Sequence, residues 1–567
     1  MNSKRTSRQC INRLFAIRNR FDSVISREKL DLLHSLNNVH ARTSNELEHL
    51  HSALCFIRAF PDTTAHYRQA HSRLQCFEER VSKLRGTARS RVRDTGIVGT
   101  PIHYPFSYEV ATWLARRFPG TVSIDWDDVD DTSRLDDLLE HLLLPSEADY
   151  FDSGLVGSKE WIELATANVG GTDFDWLLAQ LREQHFMSIW SQLYNAAELP
   201  LVWELRGAAL SKSSNTAPVR KIQPRRRGMR KRIPSVRKEI MRPIDSLRQL
   251  SPRAGSKLVD VAMASLAVRH RETNHFNHAN PSEVYVADVG EGISIVVLGL
   301  RQEYRFPLEC TMGYLILSNG VPVGYGGASA MFRQINTGIN IFDEYRGSEA
   351  SFLWIQVMRV FHHLVGCTRF IANAYQFGSE NTEALKSGAF WFYYRLGYRP
   401  VLPAIRKLAQ RESKRMRHGK AYRSDLRTLR RLASCDMHLA LPGARASDLF
   451  EERWIETSSM LATIELAGAG GSTRAESADR VATSVARDLG LRSVSAWSAS
   501  EQSAYGRLAP VVAATRPAAW PADAKRSMRK LLRAKGGPCE AEYARLLSEH
   551  DHFLSELRAS CRLAERR

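Results

Sequence analysis

Between Arg27 and Gly86, apolar residues recur three and four apart: Leu30, Leu33, Leu36 and Val39, then Leu47, Leu50, Leu54 and Ile57. That spacing puts them on one helical face. Pro61-Asp62 breaks the run and a further helix passes through Tyr67, Leu74 and Phe77, so residues 1–95 read as a helical hairpin or small bundle. Residues 96–210 read as mixed and mainly helical. A short strand is expected at Thr121–Asp125, a helix through Leu135–Leu144, a long amphipathic helix over Phe174–Ala197 and a short apolar element at Leu199–Leu205.

The period changes in residues 285–403. Ile293–Leu300 is an apolar strand, preceded by a helix over Ser256–His270. Met312–Leu317 and Val321–Tyr325 flank Ser318-Asn319-Gly320. Asn-Gly is the pair that a type I′ hairpin turn selects, because both central residues need positive φ. The pattern then predicts a strand over Ile335–Phe342, a tight turn at Asp343–Gly347, a helix over Ser351–Leu364, a strand over Cys367–Tyr375 and a helix over Ala384–Arg395 that Gly397 stops. Helical periodicity returns around Glu476–Leu489, behind the capping box Ser498-x-x-Glu501, and at Ala524–Ala534 and Glu540–Leu563. Trp497 and Trp520 are expected packing anchors there. The fold class is therefore α+β: a central mixed sheet over 246–404 with flanking helices, between mostly helical N- and C-terminal regions.

Composition narrows this picture little. The 567 residues are 43% hydrophobic and 25% charged, near the globular average, which excludes a wholly disordered, collagen-like or coiled-coil chain. No apolar run reaches the ~18–20 residues of a membrane span. Met1–Arg20 is basic and lacks the apolar core of a secretory signal. The eight cysteines include no Cys-x-x-Cys pair, which argues against zinc and redox motifs and for a reducing, cytoplasmic setting.

Charge is more informative. The net charge is +19. Residues 220–242 hold eleven Lys/Arg against the single acid Glu239, and residues 406–431 hold eleven against Glu412 and Asp425. The first stretch, rich in Pro and Gly, reads as part of a basic flexible linker over 211–245. The second carries Leu408, Leu426, Leu429 and Leu432 and reads as basic helix opening the region 405–567. Either could meet the phosphates of nucleic acid, an anionic membrane or another acidic partner. Neither interleaves aromatics as a base-stacking site does.

Three clusters carry weaker signals. Asp125, Asp127, Asp128, Asp130 and Asp131 lack the calcium-loop spacing and suit a helix N-terminus. His270, Glu272, His275 and His278 could ligate a metal, but only His270 and Glu272 stay near the helix and the remainder is Asn-rich loop leading to Pro281, so the cluster reads as polar loop and no metal is expected. Gly468–Thr473 has no lysine after its glycines and is not a phosphate loop.

The order strand, hairpin, strand, tight turn, helix, strand, helix, Leu396-Gly397-Tyr398 resembles the GNAT superfamily of acyl-CoA-dependent N-acyltransferases. Two segments carry the resemblance: Ile339–Gly347 (INIFDEYRG) and the series Ala389, Tyr393, Gly397, Tyr398. It covers residues 285–403. It implies a GNAT-like mixed sheet, acetyl-CoA or another acyl-CoA as co-substrate, and transfer of the acyl group to an amine of a small molecule or protein. It also implies that backbone groups of Ile341 and Phe342 pair with the pantetheine arm. Arg346, Gly347, Ser348 and Ser351 would hold the pyrophosphate at a helix N-terminus. Tyr393 would protonate the leaving thiolate, and Asp343 or Glu344 would serve as base, directly or through water. Phe390–Tyr394 also reads as an aromatic core face that includes Tyr393.

One departure is chemical. Glu349 stands where the family carries glycine. A carboxylate about 4 Å from a phosphate costs on the order of 4 kcal/mol at an effective dielectric near 20. Either Glu349 points away or acyl-CoA binding fails. In the second case the chain is a non-catalytic scaffold that binds nucleic acid or an acidic partner through 220–242 and 406–431. A third reading is a sensor that binds CoA and transfers nothing.

Overall fold

The computed structural model describes residues 6–36, 41–207, 210–225, 227–230, 233–419 and 422–566. Val39 of the first helical run, and Arg226, Lys231, Arg232 and Lys420 of the basic segments, lie outside them. Among the described residues the chain is mixed α and β, and no helix is long and apolar enough to cross a membrane.

The main sheet is built from ten strands: β1 (Arg248–Gln249), β2 (Ala279–Gly290), β3 (Ile293–Leu300), β4 (Cys310–Ser318), β5 (Val321–Met331), β6 (Gln334–Thr337), β7 (Asn340–Ile341), β8 (Arg369–Ala372), β9 (Arg399–Pro400) and β10 (Met437–Ala440). Their spatial order is β9-β10-β8-β6-β5-β4-β3-β2-β1, with β7 also on β5. Neighbours run antiparallel except β6 and β8, which are parallel from Arg369 against Gln334 to Ile371 against Asn336. β3 and β4 are buried along nearly their whole length because helices cover both faces. Helix α1 (Pro252–Ala267) lies against β2, and α2 (Ala350–Val365) crosses between β7 and β8. Then follow α3 (Thr382–Ser387), α4 (Ala389–Arg395), α5 (Pro403–His418) and α6 (Leu426–Leu432).

Several sequence expectations change. The strand expected over Ile335–Phe342 is two pieces, β6 and β7, with Gly338 between them. The helix over Ala384–Arg395 is also two, because Gly388 at φ +67° ends α3. Phe174–Ala197 divides into Asp173–Glu183 and Met187–Ala197 around Phe186 at φ +62°. The sheet does not stop at 404, since β10 inserts between β8 and β9. Residues 96–210 hold their own small sheet, with Leu201–Glu204 between Pro101–His103 and Val122–Ile124.

The composition of 211–245 predicts a flexible linker. Its described residues run instead as a packed strap. Ser213, Asn215 and Arg225 are buried, Asn215 donates to Val261 O, and Arg225 N donates to Pro61 O. The β4–β5 hairpin has Asn319 at φ +47° and Gly320 at +78°, as the type I′ turn requires. Its tip is buried: Asn319 Nδ2 donates to Ala59 O at 3.0 Å and Ala217 N donates to Gly320 O at 2.8 Å. The strap and the N-terminal helices therefore clasp the sheet.

The C-terminal helices dock through a buried charge cluster. Arg305 reaches Glu283 at 2.9 Å and Glu540 at 3.7 Å, and Lys535 reaches Glu540 at 2.5 Å. Trp520 packs on Phe553 and His552, while Trp497 packs on Tyr505.

Candidate active site

The parallel pair β6/β8 ends at Asn336 and Ile371, and the chain then swings away so that β7 pairs only with β5. One edge of residues 339–341 is left facing a cleft of about 500 Å³. Ile339, Ile341, Phe342, Arg346 and Gln376 line it. Gly338 at the point of divergence is pressed by Gln376: a Cβ there would lie 2.1 Å from Gln376 Oε1.

Phe342 does not offer its backbone to a ligand as expected. Its N–H donates to Val323 O at 3.1 Å and its carbonyl accepts from Tyr345 N at 2.9 Å. Ile341 carries the free edge, because the Ile339 amide is bonded to the Tyr393 hydroxyl.

After Phe342 come a single 3₁₀ turn, Asp343–Tyr345, and the N-terminus of α2. The first helical bond is Leu353 N to Glu349 O, and no side chain caps the end. The amides of Ala350, Ser351 and Phe352 thus precede the first intrahelical donor. Ser348 Oγ is buried without a partner, and Gly347 holds φ +86°. These features suit a phosphate. Arg346 lines the cleft, whereas Gly347, Ser348 and Ser351 lie beyond its rim. Arg346 is exposed and pairs with Asp343 and Glu383, both at 2.8 Å.

Glu349 turns away from this end. Its side chain is buried and accepts from Arg225 Nη2 and, at 3.0 Å, from Arg230 N. The strap supplies the positive charge that answers it. The like-charge objection to phosphate binding is removed by that geometry.

The carboxylates expected as bases fare differently. Asp343 is largely exposed. Glu344 is buried between Lys212 at 3.0 Å and Arg269 at 3.2 Å. Burial opposes its charge, but Arg269 and Lys212 outweigh it and hold the carboxyl well below the usual range. Such a carboxylate is a poor proton acceptor. Glu344 instead organises two cations at the cleft, and Arg269 stacks over Phe342 at 3.9 Å.

His270 is the better placed base, and the sequence pattern sets it at the end of a helix without a catalytic role. It follows α1 at φ +53°, lines the cleft, and has a buried Nε2 with no hydrogen-bond partner, 3.8 Å from Asp94 Oδ1. Burial lowers its pKa; Asp94 opposes that, and Lys212 and His103 add to it. A neutral imidazole at neutral pH follows. The signal was present as a histidine directly after a helix, but its partners Asp94 and Lys212 come from distant segments. The rest of the His/Glu cluster scatters: Glu272 accepts from Ser107 N at 2.9 Å, His275 is packed near Gly313 and Gly327, and His278 stacks on Tyr304. Among the described residues no group of three or more His, Cys, Asp or Glu is placed to hold a metal ion.

Tyr393 is 3% exposed and packs edge-on to Trp354, Phe377 and Tyr398. Burial pushes its pKa up, and the backbone of Ile339 opposes that through a hydrogen bond. The hydroxyl is therefore protonated and lies against the segment that borders the cleft, while the ring belongs to the aromatic core. No family model, curated protein or solved structure matches the chain.

Proposed function

We propose that the protein is an N-acyltransferase that moves an acyl group, acetyl in the simplest case, from acyl-CoA to an amine of a small molecule or protein. The observation that carries this is the unpaired edge at Ile341, followed after one 3₁₀ turn by an uncapped helix N-terminus, beside a cleft with a neutral histidine. This order of sheet edge, turn and helix also fits the GNAT resemblance of residues 285–403. Acyl-CoA supplies the activated thioester carbonyl.

The chain's own groups fit the remaining work. The Ile341 amide and carbonyl bind an extended amide-bearing arm as an added strand would. The α2 amides with Ser348 Oγ and Ser351 receive phosphate. His270 Nε2 takes the proton from the attacking amine as the N–C bond forms and the C–S bond breaks, and Tyr393 gives its proton to the departing thiolate. Asp94, 3.8 Å from that nitrogen, favours the imidazolium that forms.

The test is release of free CoA thiol from acetyl-CoA in the presence of a panel of primary amines, compared with His270→Asn. Amine-dependent release that falls about 10²–10⁴-fold in the variant is expected for loss of a general base. No amine-dependent release with any acyl-CoA, from protein shown to be folded, overturns the reading.

A further inference from the structure

The cations of 220–242 and 406–431 have different fates. In the strap, Arg225 and Arg230 are turned onto Glu349 and Glu291, Arg237 donates to Ala440 O, and Arg242 pairs with Glu239. In 406–431 the acids are turned inward instead. Glu412 is buried and accepts from Tyr422 Oη and Ser424 Oγ, both at 2.7 Å, and Asp425 caps α6 by accepting from Thr428 N. Glu412 also pairs with Arg415 at 3.0 Å, which leaves the other cations of the helix unanswered by either acid.

That surface is concave. Two cavities, of about 860 and 660 Å³, lie between α4, α5 and α6 and share Tyr394, Ser413 and Arg417. One wall is the row Lys407, Arg411, Lys414 and Arg417 of α5, all exposed and without a side-chain hydrogen bond or ion pair among the described residues. The row extends about 15 Å along the helix, at 1.5 Å per residue. Lys386 and Arg395 face it from α3 and α4, and α6 adds Arg431. No carboxylate lines either cavity.

The basic segment's own aromatic, Tyr422, is turned onto Glu412 and Arg415, and the groove takes its aromatics from α4. Tyr394 lines both cavities with Arg399 stacked over its ring at 4.3 Å. Trp391 lines the larger one, is 6% exposed, and has a buried indole N–H with no partner. A membrane surface would require a flat or convex patch, and an acidic protein would not need a donor sunk in a cavity. A row of unpaired cations along a groove with aromatic rings is the pattern that tracks a phosphate backbone and its bases.

We propose that the groove between α4, α5 and α6 binds single-stranded nucleic acid, with the α5 row on the phosphates and Trp391 donating to a base or phosphate within. The site stands independently of whether the cleft at Ile341 takes acyl-CoA.

The experiment is fluorescence anisotropy of the full-length chain with labelled oligo-dT and oligo-U of about 12 nucleotides, within the usual site size, across a salt series. Saturable binding is expected, steepest at low salt. Lys407→Gln/Arg411→Gln/Lys414→Gln/Arg417→Gln should reduce the slope of log K against log salt by about 3, at ~0.7 per single-strand phosphate contact. Arg220→Gln/Lys221→Gln should leave the slope unchanged. Trp391→Phe should weaken binding several-fold with the slope intact. Photocrosslinking of the wild-type chain to a thiouridine-bearing oligomer should mark α4 or α5, and this readout does not depend on any variant folding. Absence of binding at low salt, an unchanged slope in the fourfold variant, crosslinks confined elsewhere, or binding to anionic lipid vesicles with none to oligonucleotide overturns the proposal.

Discussion

Replacing Glu349 with glycine separates two accounts of the turn by sign. If the carboxylate faced a bound pyrophosphate, its removal would relieve a repulsion on the order of 4 kcal/mol. Acyl-CoA affinity would then rise by about three decades. The structure gives the opposite expectation. Glu349 is buried and paired with Arg225, whose side chain is 2% exposed and whose second partner, Glu291, is 37% exposed. Removing one member of a buried pair leaves the other uncompensated and costs about 3–5 kcal/mol. The amide of Arg230 also loses its acceptor. Glycine brings no backbone relief, because φ at Glu349 is −96°. Thermal and urea unfolding, read together with acetyl-CoA titration, make the assay. Glu349→Gly should lower the melting midpoint by on the order of 10 °C, taking ~2–4 °C per kcal/mol for a large domain, without tightening ligand binding. Arg225→Met/Glu349→Leu should recover most of the loss, since an apolar pair can replace a buried ion pair. A Glu349→Gly protein of unchanged stability that binds acetyl-CoA much more tightly would refute the reasoning.

Other expectations follow from the same geometry. Tyr393→Phe keeps the ring in its cluster and removes only the hydroxyl, so kcat for amine-dependent thiol release should fall while KM and melting temperature stay near wild type. For wild type, kcat/KM should decline on the acid side with an apparent pKa below the usual histidine value near 6.5, following the lowered His270, and His270→Asn should lose that limb. Burial first, and then Glu540, push Glu283 up to about 7, against Arg305. A carboxyl raised in the folded state binds its proton more tightly than in the unfolded chain, so its contribution is complete below pH ~4.5 and is lost as pH rises through about 7. Glu283→Gln should flatten that part of the stability–pH curve, measured by urea midpoints.

What was legible in the sequence was local. The Asn319-Gly320 hairpin declared itself because a two-residue turn needs positive φ at both positions and those residues supply it. Helix α2 was visible from its apolar face, and Gly347 from its place in the turn. What was hidden depends on partners far along the chain. The strap looked like solvated linker because its eleven cations have a single local acid, yet Arg225 meets Glu349, 124 residues away. Strand β10 is four residues behind a basic helix and gains its identity only by inserting between β8 and β9. Phe186 at φ +62° breaks a helix without the glycine that would announce it. Arg346 and Ile341, which the resemblance singles out, both line the cleft. Asp94, Lys212 and the unpaired His270 converge on the cleft only through tertiary folding.

The most direct test of the central claim is calorimetric titration of the full-length protein with acetyl-CoA, with AMP as a control for adenine alone. The account predicts saturable one-site binding to acetyl-CoA, no comparable binding of AMP, and loss of affinity when Ser348→Ala/Ser351→Pro removes a hydroxyl and an amide donor at the start of α2. Folded protein that shows no saturable heat with acetyl-CoA or longer acyl-CoAs would contradict it.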